Sequence, residues 1–229
     1  MTIEKIHKSW ILYEDNHLIA VNKPASVLSQ SDQTKDVDII SMTKAYVKEA
    51  YDKPGEVYMG LPHRLDRPVS GVLLLCKTSK GLTRMSDIFK KREIKKTYHA
   101  IIQVVPSDLS GTLTSYVKKS GKMNRSNISD KSFKGAKLAV LHYKLIGQIK
   151  DYSLLEIELE TGRSHQIRVQ LSQHKMPILG DLKYKPQRPL IDKSIALHAH
   201  SLSFIHPVKK EPVRITAKYP NTEWWNLFN

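Results

Sequence analysis

The chain has 229 residues, 40% of them hydrophobic and 26% charged, a balance typical of a folded globular protein rather than a disordered one. Lysine and arginine number 37 against 22 aspartate and glutamate residues, and the resulting formal net charge of +15 favours a polyanionic partner. No apolar run approaches the roughly 18–20 residues of a membrane helix, and a single cysteine excludes a disulfide framework or a multi-cysteine metal site.

The hydrophobic pattern predicts strands interspersed with a few helices. In chain order, the predicted elements are strands at Trp10–Tyr13 and His17–Val21, a helix at Asp38–Tyr51, a strand at Val72–Lys77, a helix at Ser79–Arg92, strands at Thr97–Val105, Thr112–Val117, Lys137–Ile149 and Tyr152–Leu159, a helix that begins near Arg163, and extended segments at Ile195–Ile205 and Pro212–Tyr219. This succession predicts an α+β fold with a mixed, largely antiparallel central sheet and flanking helices. Lys118–Gly135 has hardly any apolar residues and predicts a mobile loop. No repeat or composition shift divides residues 1–229, so we expect a single domain.

The segment Leu61–Leu75 places one carboxylate, Asp66, between two arginines and just before the predicted buried strand. An isolated Asp-Arg pair would most often be a surface ion pair. The whole segment, however, resembles the catalytic motif of the RluA-type pseudouridine synthases, which is His-Arg-Leu-Asp followed by Thr- or Val-Ser-Gly and an apolar strand. The resemblance therefore identifies Asp66 as the candidate catalytic residue.

Further segments resemble motifs of the same family, in the same order. They are the early Lys-Pro loop at Asn22–Val27, the tyrosine motif at Lys95–Ala100, the Gln-Ile-Arg motif at Thr161–Val169 with Pro177–Asp181 after it, and the closing Leu-His-Ala block at Leu197–Phe204. The resemblance extends from about residue 10 to 219. It implies the pseudouridine synthase fold with its catalytic cleft, and the isomerisation of specific uridines to pseudouridine in a structured RNA, either ribosomal or transfer RNA. This reaction needs no cofactor, since uracil itself can hold the electrons while its bond to ribose is broken.

The resemblance also implies roles for individual residues. Asp66 would attack the nucleotide or abstract a ribose proton, and Arg168 would pair with it. Tyr98 would stack on uracil and exchange a proton, Leu197 would form an apolar wall, and Arg64 would enter the stack vacated by the extruded base. Further candidate substrate-binding residues are His63, Arg163 and Gln166. Taken singly, Arg168 could be a surface helix arginine, Tyr98 and Leu197 core residues, and Arg64 a salt-bridge partner.

The chain departs from the family pattern at two points. Many relatives carry a histidine where this chain has Gln170, which cannot titrate, so we expect no acid–base role there. The small N-terminal RNA-binding domain of many relatives is also missing, so we expect one catalytic domain over residues 1–229, with RNA recognised by this domain itself or through a partner. The first residues lack the apolar core of a secretory signal, which predicts a cytoplasmic protein.

The sequence also bears on three alternatives to a cofactor-free pseudouridine synthase, and on the oligomeric state. A catalytically silent RNA-binding module would not need Asp66, Tyr98 and Arg168 together. A metal-dependent nuclease would need a cluster of carboxylates for Mg²⁺, whereas the motif regions are rich in arginine. A zinc site built from the histidines lacks a supporting His-Glu-x-x-His or Cys pair, so we expect no metal. Nothing in the sequence requires a dimer, and we expect a monomer that binds no membrane.

Overall fold

The computed structural model describes residues 6–120, 125–185 and 188–229, and its elements follow the hydrophobic pattern of the sequence. The described strands are β1 (Ile11–Glu14), β2 (Leu18–Lys23), β3 (Ser70–Cys76), β4 (Ile94–Ile102), β5 (Ser110–Ser120), β6 (Arg125–Ser129), β7 (Lys137–Ile149), β8 (Tyr152–Leu159), β9 (Leu197–Ile205) and β10 (Pro212–Thr216). The described α-helices are α1 (Ile39–Ala50), α2 (Ser79–Lys91), α3 (Gln166–Gln173) and α4 (Glu223–Asn226). These elements confirm the predicted α+β class.

The contacts within the chain define two compact units, and the first comprises Met1–Ile94 and Ala199–Lys218. Its strands follow the order β1-β2-β3-β9, with β10 paired to β9. The β1–β2, β2–β3 and β9–β10 pairs are antiparallel. Every residue of β3 is buried, as its unbroken apolar sequence predicts. The core of this unit includes Leu18, Ala20, Val72, Leu74, Cys76, Met85, Leu202 and Phe204.

Gly71 fixes how β3 enters the sheet of the first unit. Its φ is +112°, a conformation that glycine adopts readily and other residues rarely do. A Cβ atom at this position would lie 2.3 Å from the carbonyl oxygen of Ala199 in β9. The glycine of the Ser-Gly pair in this motif is therefore required by backbone packing.

The second unit comprises Lys95–His198 and Tyr219–Asn229. Its strands follow the order β4-β8-β7-β5-β6, and each neighbouring pair is antiparallel. Helix α3 packs against β5 and β6. The predicted sheet is thus largely antiparallel in both units, and the expectation of a single domain stays a prediction.

The predicted mobile loop at Lys118–Gly135 is wrong for residues 118–120 and 125–129, which form strands, whereas residues 130–135 form turns that lead to β7. β5 continues to Ser120 and pairs with β6, which the sequence did not predict, and Lys118 lies opposite Asn127. The polar composition was misleading because alternate residues of β6 point inward: Ser126 is buried, and Ile128 packs on a small apolar cluster. Residues 121–124 lie outside the described part of the chain.

Candidate functional site

The loop that carries Asp66 is fastened by backbone hydrogen bonds on both sides of the carboxylate. The Ser29 hydroxyl donates to the Leu65 carbonyl at 2.7 Å and accepts from the Leu65 N–H at 3.1 Å. The Val69 N–H donates to the Asp66 carbonyl at 3.1 Å, which closes a turn before β3 begins. Leu65 is buried and Asp66 is half-buried. A rigid backbone therefore presents a partly accessible carboxylate.

Lys23 at the end of β2 is fully buried, and its side chain lies beneath this loop. Its ammonium donates to the carbonyls of Pro24 and Val27 at 2.8 Å each and of Arg67 at 3.2 Å. Burial lowers the pKa of Lys23 to about 7, although the nearby Asp66 carboxylate acts to raise it. Lys23 thus ties the Lys-Pro loop to the catalytic motif and, when protonated, brings positive charge near Asp66.

The two arginines beside Asp66 have different surroundings. The Arg67 guanidinium lies 2.7 Å from the Asp36 carboxylate, and its Nε donates to the Ser26 carbonyl at 3.1 Å. Arg64 is exposed, and no hydrogen bond or salt bridge joins it to another described residue. The acid that pairs with Arg67 is therefore Asp36, whereas the ion pair considered from the sequence joined Arg64 or Arg67 to Asp66. Arg64 is exposed in the way that contact with a substrate requires.

His63 connects the motif to the neighbouring strand and helix. Its Nε2 accepts a hydrogen bond from the Leu74 N–H of β3 at 2.9 Å, which requires a neutral ring protonated on Nδ1. The ring also stacks on Phe89 of α2, with the ring centroids 4.8 Å apart. These contacts give His63 a role in holding the loop, and its substrate contact stays a prediction.

Arg168 of α3 is a buried arginine of the second unit, with 5% of its surface exposed. Its Nε and Nη2 donate to the two carboxylate oxygens of Asp181 at 2.8 Å each. Its guanidinium also lies 5.2 Å from the centre of the Tyr184 ring. Arg168 is therefore not a surface helix arginine, and Asp181, to which the sequence gave no role, fixes its orientation. The pairing of Arg168 with Asp66 stays a prediction.

Gln166 holds the turn that leads into α3. Its side-chain oxygen accepts from the Thr161 hydroxyl at 2.8 Å and from the Arg163 N–H at 3.0 Å, and its amide donates to the Val140 carbonyl at 3.0 Å. The Arg163 Nε donates to the Leu138 carbonyl at 2.9 Å. Gln166 is only 3% exposed. These contacts favour a structural role, and the predicted substrate contacts of both residues remain predictions.

Gln170, which stands where many relatives carry a histidine, fastens α3 to the sheet of the second unit. Its amide donates to the Leu113 carbonyl and the Ser115 hydroxyl at 3.0 Å each and to the Ala139 carbonyl at 3.2 Å. Gln170 is 1% exposed. These hydrogen bonds give Gln170 a structural role, and the expectation that it has no acid–base role stays a prediction.

Tyr98 in β4 and Leu197 at the first residue of β9 both belong to the second unit. Tyr98 lies opposite Ile157 of β8 and is half-buried, whereas its neighbours Thr97 and His99 are buried. Leu197 begins β9 and is 3% exposed. Tyr98 is therefore not a fully buried core tyrosine, and the roles of both residues at the uracil remain predictions.

The described residues offer neither a cluster of metal ligands nor a membrane-spanning helix. No group of three or more His, Cys, Asp or Glu side chains among them could hold a metal ion. None of the described helices has the length and apolar character that crossing a bilayer requires.

Comparisons with known proteins agree with the motifs. The family model described as RNA pseudouridylate synthase matches residues 17–173. The chain is 34% identical over 214 residues to an uncharacterized RNA pseudouridine synthase of Synechocystis sp., covering 92% of this chain and 65% of the relative. It is 33% identical to the ribosomal large subunit pseudouridine synthase C of Rickettsia prowazekii, covering 95% of this chain and 70% of the relative. It is 34% identical to the ribosomal large subunit pseudouridine synthase D of Zymomonas mobilis, covering 92% of this chain and 69% of the relative. The chain thus spans about two thirds of the length of these relatives.

Two human structures share the fold. Human RNA pseudouridylate synthase domain containing 4 has a TM-score of 0.80 at 23% identity, covering 96% of this chain and 92% of that chain. Human RNA pseudouridylate synthase domain containing 1 has a TM-score of 0.72 at 22% identity, covering 98% and 88%. These likenesses confirm the fold predicted from the sequence.

Proposed function

The chain belongs to the RNA pseudouridylate synthase family, and from that premise we propose that it isomerises specific uridines of ribosomal RNA to pseudouridine. The family match confirms the predicted reaction class. The choice of ribosomal RNA is supported by the names of two relatives, which describe synthases of the ribosomal large subunit. Transfer RNA is the competing substrate. We also propose that the protein acts as a cytoplasmic monomer.

The reaction replaces one bond of the base with another. The bond between N1 of uracil and C1′ of ribose breaks, the base turns, and C5 bonds to C1′. C5 loses its proton and N1 gains one, so that the product is an isomer and no electrons are gained or lost. We propose that Asp66 starts this sequence, either by attacking the nucleotide or by abstracting a ribose proton. Both roles need an ionised carboxylate.

The environment of Asp66 is the observation that carries this proposal. The backbone of its loop is held by the Ser29 hydroxyl at Leu65 and by the turn from Asp66 to Val69, so the position of Asp66 is set before substrate binds. The buried ammonium of Lys23 supplies positive charge nearby when it is protonated. A fixed carboxylate beside a cation needs little rearrangement at the moment of reaction.

Arg168, Tyr98 and Leu197 complete the proposed chemistry on the strength of the family motifs. Arg168 would pair with Asp66, and the bidentate contact with Asp181 supports this role because it fixes the guanidinium. Tyr98 would stack on uracil and exchange a proton. Leu197 would form an apolar wall at the base.

Arg64 serves the step before the chemistry. A uridine inside a helix must be extruded, at a cost on the order of a few kcal/mol. Arg64 is exposed, and its planar guanidinium can replace part of the lost stacking.

The test uses the purified protein with ribosomal and transfer RNA that lack modifications, and mapping of pseudouridine by mass spectrometry. We expect pseudouridine in ribosomal RNA at discrete positions, with and without EDTA. Binding of RNA without turnover would instead establish the silent module. RNA cleavage that stops in EDTA would favour the metal-dependent nuclease, and pseudouridine formation confined to transfer RNA would overturn the proposed substrate.

A further inference from the structure

Tyr184 lies between the predicted catalytic arginine and the β5–β6 hairpin, within the second unit. The centre of its ring is 5.2 Å from the guanidinium carbon of Arg168 and 4.9 Å from that of Arg125, the first residue of β6. Both distances are within the range of about 6 Å over which an aromatic face attracts a cation. The Tyr184 ring therefore contacts two positively charged side chains.

The ring of Tyr184 is held in place by its hydroxyl and its backbone. The hydroxyl accepts a hydrogen bond from the Ser126 N–H at 2.9 Å and bonds to Nδ1 of His165 at 2.8 Å. The Ser172 hydroxyl of α3 donates to the Tyr184 carbonyl at 2.9 Å. Because Tyr184 is only 9% exposed, its ring has a single defined position between β6 and α3. Such a ring can orient the guanidinium groups that lie against it.

Arg125 differs from Arg168 in what neutralises its charge. Arg168 is paired with Asp181, whereas no described acid forms a salt bridge with Arg125. The Nε of Arg125 is buried without a hydrogen-bond partner among the described residues, although the side chain as a whole is only half-buried. The buried Nε is out of reach of an external anion, but the accessible part of this guanidinium, which no acid neutralises, is suited to an anion with oxygen acceptors.

The strand opposite Arg125 adds to the positive charge. Arg125 pairs with Ser120 of β5, and the adjacent residues Lys118 and Lys119 are exposed. The hairpin thus carries three cations, of which Lys118 and Lys119 are successive strand residues that point to opposite faces. This arrangement favours the phosphates of a nucleic-acid backbone, which are regularly spaced anions.

We propose that Tyr184 is a positioning residue for Arg168 and that Arg125, held on the same ring, binds a phosphate of the substrate RNA. The inference rests on the proposed function, since Arg168 matters here as a member of the catalytic machinery. The Tyr184 side chain would then contribute both to RNA binding, through Arg125, and to the orientation of Arg168.

The experiment compares Tyr184→Leu, Tyr184→Phe and Arg125→Ala in the full chain. Turnover (kcat), KM and RNA affinity are measured on a ribosomal RNA fragment over a range of salt concentrations. Tyr184→Leu removes the ring and should lower kcat roughly three- to thirtyfold, while RNA affinity changes less. Tyr184→Phe keeps the ring and should retain kcat within about threefold, since only hydrogen bonds of the hydroxyl are lost.

Arg125→Ala should act on binding instead of turnover. We expect KM to rise, kcat to change little, and the slope of log K against log salt to flatten by roughly 0.7–0.9, the change expected for one lost phosphate contact. In the double variant with Tyr184→Leu, the effect of Arg125→Ala on KM should be smaller than in the wild type, because the ring that positions Arg125 has already been removed.

Tyr143→Leu is the matched control, since Tyr143 is a similarly buried tyrosine of β7 whose ring packs on Gly111. An equal loss of kcat in Tyr143→Leu and Tyr184→Leu would overturn the positioning role, as would wild-type kcat in Tyr184→Leu. An unchanged salt slope in Arg125→Ala would overturn the phosphate contact. Failure of the proposed function is distinguished by the wild type, which would then bind ribosomal RNA and form no pseudouridine.

Discussion

Asp66 and Arg168 are the two charged residues on which the proposed reaction depends, and the fold holds them by different means. The loop of Asp66 is fixed through its backbone, by the Ser29 hydroxyl and the Lys23 ammonium, and its carboxylate remains half-buried. Arg168 is fixed through its side chain, by the Asp181 carboxylate and the Tyr184 ring, and is buried. The first arrangement leaves a reactive group accessible, whereas the second makes a charged group part of the core. Changes at the two sites should therefore have different consequences.

Asp66→Asn should have the largest effect on turnover and almost none on stability. The substitution keeps the size of the side chain and removes its charge, so we expect a folded protein whose turnover falls by more than about a thousandfold. RNA affinity should fall little, because phosphate contacts dominate binding. Single-turnover assays and thermal unfolding measure the two quantities. Substantial turnover by a verified Asp66→Asn protein would contradict the catalytic assignment.

Arg168→Ala should reduce both turnover and stability. It leaves the buried Asp181 carboxylate without its guanidinium, and loss of one partner of a buried pair costs about 3–5 kcal/mol. We expect kcat to fall roughly a hundredfold or more, because the reaction loses a fixed positive charge. Urea unfolding and kcat are the measurements.

Two further variants test whether the loss of stability and turnover comes from the bidentate contact of Arg168 with Asp181. Arg168→Lys should recover part of the stability but little of the rate, because a point charge cannot form the bidentate contact. Arg214→Ala, at an exposed position of β10, should change neither. Wild-type stability in Arg168→Ala would show that the contact with Asp181 is not what holds α3.

Lys23→Met should change how stability depends on pH. The pKa of Lys23 is about 7 in the folded protein and 10.5 for a free side chain, so between these values the unfolded chain binds the extra proton. Stability of the wild type should therefore rise as pH increases from about 7 to 10, by at most about 1.4 kcal/mol per pH unit. Below pH 7 this contribution is constant, as both states are protonated.

The measurement is urea unfolding of wild type and Lys23→Met between pH 6 and about 10. The difference between the two proteins should shift in favour of the wild type as pH rises. Lys48→Met, which replaces an exposed lysine of α1, is the control and should follow the wild type. A constant difference across this range would mean that Lys23 keeps its ordinary pKa.

Substitution of surface cations should have the smallest effects on RNA binding. Variants of such cations in the first and the second unit can be compared directly. Lys118 and Lys119 lie on the hairpin of the second unit, whereas Arg84 and Lys91 line a cavity of about 450 Å³ between α2 and the β9–β10 turn of the first. Asp87 and Glu93 line the same cavity and offset its charge. Paired alanine substitutions on the hairpin should therefore flatten the salt dependence of RNA binding by roughly 0.7–0.9 per phosphate contact, and those in the cavity by less.

Stability should stay within about 0.5 kcal/mol of wild type for both pairs, since the side chains are exposed. RNA affinity at several salt concentrations provides the comparison. A steeper loss from the cavity pair than from the hairpin pair would place the RNA contact on the first unit.

The sequence predicted an element correctly where apolar residues follow one another, or recur at helical spacing, within one short segment. β3 was evident from its unbroken apolar run and α2 from its periodic one, and both lie close to their predicted positions. β6 was missed because only Ser126 and Ile128 face inward, and the rest of the segment is polar. The strand is held by backbone pairing with β5, which a composition argument does not detect.

The same distinction applies to the candidate site. The motifs located Asp66 and Arg168, but not what holds them. Lys23 binds a carbonyl 44 residues away, and a lysine at the end of a strand is ordinarily expected in solvent. Asp181 lies 13 residues from Arg168, and nothing in the spacing indicates that they form a pair. Such contacts depend on the assembled fold.

Cys76 gives this protein a built-in reporter of local opening. It is the single cysteine of the chain, lies at the end of β3 with none of its surface exposed, and burial raises the pKa of its thiol to about 12. A thiol reagent can therefore modify it only when β3 separates from its neighbours. The rate of labelling under native conditions would measure how often the strand behind the Asp66 loop opens, without any engineered probe.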